Sequence, residues 1–271
     1  MRDNKLRELI KRGKSTFGTH VLSTWPGMVE VIGYTHDVDY LEFDAEYAPF
    51  DLYDLDNIAR ACELTGMSSM MKVDQEPRTF LATRALGSGI QSVLFADIRT
   101  IEDAQLCVRS VKMETPEDRG LHGCHMRRSV RYLHDIGSKD FVRAMNDVVI
   151  AFMIEKKSAV DNLEEILSVP GLDMVQFGPC DYSISAGVPG EFGHRKVREA
   201  ELKVIRTAVK MGIRPRVELG GKFAKEEVQK YSEMGVKDFC IGWDVAIIHD
   251  WIRENMSKAR QASGHRRARL S

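Results

Sequence analysis

Eight short β-type runs alternate with amphipathic helical stretches along this 271-residue chain. The runs fall at residues 17–22, 39–43, 68–73, 90–95, 148–154, 174–177, 214–219 and 238–241. Helical patterns lie at 52–64, 77–85, 101–111, 159–167, 198–210 and 224–234, and another at 244–256 follows the last run. Such alternation builds a parallel sheet, because neighbouring parallel strands need a crossover helix. The run Val148-Val-Ile-Ala-Phe-Met-Ile154 is apolar throughout, which suits burial on both faces. Eight units within about 250 residues predict a closed (β/α)8 barrel, a single α/β domain over residues 1–256. Thr100 and Asp103 have the spacing of a capping box, and Gly66 and Gly212 stand where helices end. Residues 257–271 are basic, lack an apolar period and read as a flexible C-terminal tail. The irregular section 113–138 is expected to be a functional loop, since connections of that length are uncommon.

Composition removes several function classes. A net charge of -1 gives no bulk attraction to nucleic acid or to an anionic membrane. No apolar run approaches the roughly 20 residues of a membrane span, and the polar N-terminus lacks a signal-peptide core. The five cysteines, 62, 107, 124, 180 and 240, contain no Cys-x-x-Cys. That pattern fits the reducing cytoplasm rather than a disulfide or zinc-thiolate framework.

Barrels of this class carry their chemistry at the C-terminal ends of the strands. Read in order, those ends supply His20, then Asp44, Glu46 and Tyr47, then Lys72, Asp97, Glu155, Asp181, Glu218 and Asp244. Glu155 and Asp181 leave two consecutive strands and are the candidate metal ligands. Oxygen donors without neighbouring His or Cys suit Mg2+ or Mn2+. The competing reading pairs Glu155 with Lys156 or Lys157 and makes Asp181 the N-cap of a short helix. The turn Gly178-Pro179-Cys180-Asp181 offers the N–H groups of Cys180 and Asp181 to a substrate carboxylate. Cys180 itself reads as small filler. Lys72 suits an enolate-stabilising cation or a Schiff-base amine, with a salt bridge to Asp44 or Glu46 as the plain alternative.

Taken together, the chain resembles the HpcH/HpaI aldolases, metal-dependent pyruvate aldolases related to the citrate lyase β subunit. The resemblance spans about residues 6–248. It rests on Phe-Asp-Ala-Glu-Tyr-Ala-Pro (43–49), Gly-Ile-Gln-Ser-Val-Leu-Phe (89–95), Arg119-Gly120 and Ile154-Glu155. It also rests on Ile166-Leu-Ser-Val-Pro-Gly-Leu-Asp173, Gly178-Pro-Cys-Asp-Tyr-Ser183 and Ile241-Gly-Trp-Asp244. It implies a (β/α)8 barrel and a homo-oligomer, commonly a hexamer built as a trimer of dimers that exchange the last helix. It also implies Mg2+, Mn2+ or Co2+ on a Glu and an Asp, matched here by Glu155 and Asp181. The metal there chelates the keto and carboxylate oxygens of pyruvate and stabilises an enolate.

The departures lie in the acid–base half. The family's Glu-His-Ala-Pro motif carries a base where this chain has Tyr47. Its strand-three Arg is Lys72 here, its Gln two residues before the metal Glu is Met153, and its Asp before strand four is replaced near Gly87. Where it often has Gly-Leu-Trp, this chain has Gly18-Thr19-His20. Tyr47 serves as a base at neutral pH only if a cation such as Lys72 lowers its pKa. His20 is the other proton carrier, and Asp44 orients whichever group acts. His122 and His125 in the long loop are further candidates, and Arg127, Arg128 and Arg131 are candidate contacts for an acidic substrate group. The expected activity is a metal-dependent carbon–carbon lyase acting on a 2-oxo acid with a carbonyl co-substrate. A decarboxylase or synthase using the same enolate is a close variant. A metal-binding barrel without aldolase activity, serving as a ligand-binding or assembly subunit, is the alternative from another class.

Overall fold

In the computed structural model, which describes residues 3–220 and 225–264, eight parallel strands close on themselves in sequence order. They are β1 (Thr16–Val21), β2 (Tyr40–Asp44), β3 (Ser68–Val73), β4 (Ser92–Phe95), β5 (Val149–Ile154), β6 (Met174–Phe177), β7 (Arg214–Leu219) and β8 (Asp238–Trp243). Each begins or ends within two residues of its expected run. Strand side chains alternate between faces, and that alternation sorts the barrel into two regions. Leu41, Phe43, Met71, Val93, Ile150 and Phe152 face outward into the large core shared with the surrounding helices. Tyr40, Met70, Leu94, Val149, Ala151, Met153 and Met174 face inward and form a separate apolar layer.

The helix Lys5–Lys11 closes the floor of that layer. Leu6 joins it, the Leu6 N–H donates to Ser68 Oγ at 2.9 Å, and Asn4 donates to the Gln91 carbonyl at 2.9 Å. Above the apolar layer the same inward positions turn polar: Glu42 and Asp44 on β2, Lys72 on β3, Gln176 on β6, Arg216 and Glu218 on β7, His20 on β1. One face of each strand therefore builds the shell, and the other builds first a floor and then a charged mouth.

Several expectations need correction. Section 113–138, expected to be a functional loop with candidate site residues, does not bring those residues to the mouth. It joins the end of the helix Ile101–Val111 to the helix Lys139–Asn146, at the opposite face of the barrel. Arg127 donates there to the Thr83 carbonyl, and Arg128 bridges Glu63 at 2.5 Å and the Ser88 carbonyl at 3.0 Å. Arg131 pairs with Asp135, while His122 and His125 pack on Phe141. The partners of these five side chains lie in the long section itself and in the helices around it, not among the strand-end residues of the mouth. Gly87 lies at that face as well, against Arg127.

The expected 159–167 helix is two short helices, Lys157–Asp161 and Leu163–Leu167, hinged at Asn162. The final helix, Asp244–Ala262, passes the boundary drawn at 256. Ser-Lys-Ala-Arg-Gln-Ala is rich in good helix formers, and Glu254 pairs with Lys258 one turn on. Residues 265–271 of the expected tail, and Ala224 at the start of the 224–234 pattern, lie outside the described residues.

Candidate active site

The mouth holds two groups of side chains, one after β5 and β6 and one on β1, β2 and β3. The first holds the acids. Glu155 follows β5 and continues its inward set, so the carboxylate is buried. The Asp97 N–H donates to Glu155 Oε1 at 2.7 Å. Gly178 lies against the other oxygen: a Cβ there would stand 2.7 Å from Glu155 Oε2 and 2.8 Å from Glu155 Cβ. Only glycine leaves Glu155 its place. Burial pushes the Glu155 carboxyl up to about 7; the Asp97 N–H and Lys72 pull it down, while Asp181 and Glu46 push it up again.

Asp181 sits in the first turn of the helix Pro179–Ser185, whose N-cap is Gly178 with no side-chain cap. It is therefore not the N-cap that the competing reading required. Nor does Lys156 pair with Glu155. Its Nζ lies 2.6 Å from Asp181 Oδ1 and 3.0 Å from Asp97 Oδ1, while Lys157 pairs with Asp161. A buried carboxylate whose proton affinity a second carboxylate raises, held by a backbone N–H in a slot shaped by glycine, suits a hard divalent cation beside that second acid. Glu155 and Asp181 would hold it.

The second group surrounds Lys72, which is paired in register with Asp44. Lys72 Nζ lies 2.6 Å from Glu46, 3.8 Å from Asp44 and 3.3 Å from the Tyr47 hydroxyl, and 4.4 Å from the centre of the Tyr47 ring. Burial alone would lower its pKa, but Asp44, Tyr47 and Glu46 together raise it above the usual lysine value. The ammonium is thus held charged, which disfavours the Schiff-base amine. Tyr47 is 51% exposed. Its partial burial raises it to about 12 despite Lys72, so the cation does not make it a base.

Asp44 is buried, and its Oδ1 has no hydrogen-bond partner. Burial pushes it up to about 7, with Lys72 and His20 opposing and Glu42 and Glu46 adding. His20 is also buried. Burial acts to lower it, but Cys240 and Glu42 outweigh burial and raise it to about 10. Its Nδ1 is 3.8 Å from both Cys240 Sγ and Glu42 Oε1. Its ring meets Trp243 edge-on at 4.7 Å. His20 is therefore a protonated donor in the wall, not a free imidazole.

Glu42, Gln176 and Arg216 were not singled out in the sequence. Arg216 bonds Glu42, Gln176 and the Tyr40 hydroxyl, and Gln176 bonds Glu218 at 2.9 Å. Their signal was the alternation itself: polar residues at every second position of Tyr40–Asp44 and Arg214–Leu219 can only face the barrel interior. Gln176 stands in register beside Met153, so an amide is present one strand away from the position where the resembled family has its Gln. His20, Glu42 and Cys240 bring three donor atoms within 4.8 Å, but Glu42 already carries the Arg216 guanidinium. Asp244 accepts the N–H groups of Leu22 and Ser23 at 3.0 Å each and ties β1 to the start of the final helix.

A family model described as HpcH/HpaI aldolase/citrate lyase matches residues 16–237. The 2-keto-3-deoxy-L-rhamnonate aldolase of Escherichia coli (strain K12) is 26% identical over 261 residues, covering 94% of this chain and 92% of its own. A crystal structure of an HpcH/HpaI aldolase from Desulfitobacterium hafniense DCB-2 superposes with a TM-score of 0.84 at 25% identity, covering 95% of this chain and 97% of its own. A family protein from Burkholderia cenocepacia J2315 gives 0.85 at 25% identity, covering 95% and 100%. The chain belongs to the HpcH/HpaI aldolase/citrate lyase family, whose members are in general divalent-metal-dependent aldolases and related lyases acting on 2-oxo acids.

Proposed function

We propose that this family member cleaves or forms a carbon–carbon bond beside the oxo group of a 2-oxo acid, with a carbonyl compound as the second partner. The supporting observation is that Lys72, at the end of β3, and Asp181, after β6, both bear electrostatically on the buried Glu155 carboxylate that follows β5. Glu155 and Asp181 would hold a Mg2+ or Mn2+ ion, which would supply Lewis acidity toward the oxo oxygen. The N–H groups of Cys180 and Asp181, in a helical first turn where they lack intrahelical partners, receive the substrate carboxylate beside Gly178 and Pro179. Lys72 places a fixed positive charge beside the oxygen as charge develops on it.

The proton assignments differ from the sequence expectation. Tyr47, raised to about 12, and His20, raised to about 10, both keep their protons at neutral pH. They serve as donors and orienting groups. Asp44, at about 7 with an unpartnered oxygen, is the carboxylate poised to take and return the proton, since a catalytic base works best with a pKa near the operating pH.

The final helix leaves Val245, Ile247, Ile248, Trp251, Ile252 and Met256 exposed. Among the described residues no helix is long and apolar enough to cross a membrane. The stripe supports reading this helix as a subunit contact; we read it as the exchanged element of a hexameric trimer of dimers in a cytoplasmic enzyme. The activity is tested by following pyruvate release from a panel of 4-hydroxy-2-oxo acids with added Mn2+. Release that stops with EDTA and in Glu155→Gln and Asp181→Asn is expected. Release that persists in both variants would contradict the assignment.

A further inference from the structure

Lys156 has no part in the chemistry above, yet its ammonium is in direct contact with one acid of the pair. It stands 2.6 Å from Asp181 Oδ1 and 3.0 Å from Asp97 Oδ1. Asp97 in turn touches the other acid, because its N–H donates to Glu155 Oε1. Asp97 has φ of 57°, a left-handed conformation that is uncommon for a non-glycine residue. In that conformation one residue presents its N–H to Glu155 and its carboxylate to Lys156. Arg99 takes the other Asp97 oxygen at 3.2 Å. The result is a chain of contacts from Glu155 through Asp97 and Lys156 to Asp181.

We propose that Lys156 is an internal counter-ion of the acid pair: its ammonium holds Asp181 until a divalent cation takes that carboxylate, and its retreat onto Asp97 sets the affinity for the cation. The proposal rests on the reading of Glu155 and Asp181 as metal donors. A divalent ion bound at about 2.0–2.1 Å from an Asp181 oxygen would stand only a few ångströms from an ammonium on the same carboxylate, and like charges that close repel strongly. Lysine suits the role because its charge is compact and rides on a flexible stem. Asp97 is already within reach, so the ammonium need only give up one of two partners.

The test is Mn2+ binding to the substrate-free full chain, followed by the EPR signal of free Mn2+. Lys156→Met is expected to bind Mn2+ about tenfold more tightly than wild type, a modest share of the repulsion between close charges. Lys156→Arg keeps the charge and is expected to bind close to wild type. Asp97→Asn removes the seat to which the ammonium retreats and is expected to bind more weakly. Lys156→Gln repeats the measurement if the Met variant fails to fold. Equal or weaker binding by a folded Lys156→Met or Lys156→Gln, with Glu155→Gln still abolishing wild-type binding, overturns this proposal alone. Absence of Mn2+ binding in the wild type overturns it together with the metal reading.

Discussion

At the scale of single residues, environment has reassigned the chemistry. Tyr47, His20, Lys72 and Asp44 could be picked out from their positions at strand ends, but their protonation could not. Lys72 stands beside Tyr47, but burial and two neighbouring carboxylates outweigh that cation. Asp44 carries the clearest pH signature. Its ordinary value is near 4, and folding raises it to about 7. The native state therefore loses stability as pH rises from 4 to 7, by up to about 4 kcal/mol, and loses none of this below pH 4. Asp44→Asn is expected to be more stable than wild type to urea at pH 8 and to show no such gain at pH 4. The same substitution is expected to lower turnover at least about 100-fold and to remove the rise in activity as pH passes 7. Gly178→Ala makes a steric prediction. Its methyl meets Glu155 at 2.7 Å, so it should cost about 1–3 kcal/mol and weaken Mn2+ binding, measured by urea titration and EPR.

At the scale of elements, the strands were legible because their outer faces are continuously apolar and their lengths are short. The inner faces were less legible, because an inward charge has meaning only against its cross-barrel partner. Glu42 and Arg216 lie 174 residues apart in sequence and meet inside the barrel. Arg216→Met leaves Glu42 buried without its partner and is expected to destabilise the fold by about 3–5 kcal/mol. Adding Glu42→Gln should recover much of that loss; urea midpoints of the single and double variants decide it. The loop 113–138 reads as functional from its length, and length does not tell on which end of the barrel a connection lies. The helices Lys5–Lys11 and Pro26–Gly33 escaped notice because each is short and lacks a full apolar period.

At the scale of the whole molecule, strand order and closure followed from the count of β–α units. The position of the acid pair followed from the rule that barrel chemistry sits at strand C-termini. What stays exposed is the apolar stripe of the final helix, which the barrel of one chain does not cover. If that stripe is a subunit contact, Trp251→Glu should shift the chain to a smaller species by light scattering, with the far-UV signal of the barrel retained. A mass unchanged by Trp251→Glu would contradict the contact. The proposed function has the mouth turn a 2-oxo acid into an enolate between the Glu155–Asp181 pair and Lys72. Its most direct measurement is exchange of the pyruvate methyl protons for deuterium in the presence of Mn2+, followed by NMR. Exchange is expected in the wild type, lost in Glu155→Gln and sharply reduced in Asp44→Asn. Tight Mn2+ and pyruvate binding with no exchange would contradict it and leave a barrel that binds a 2-oxo acid without transforming it.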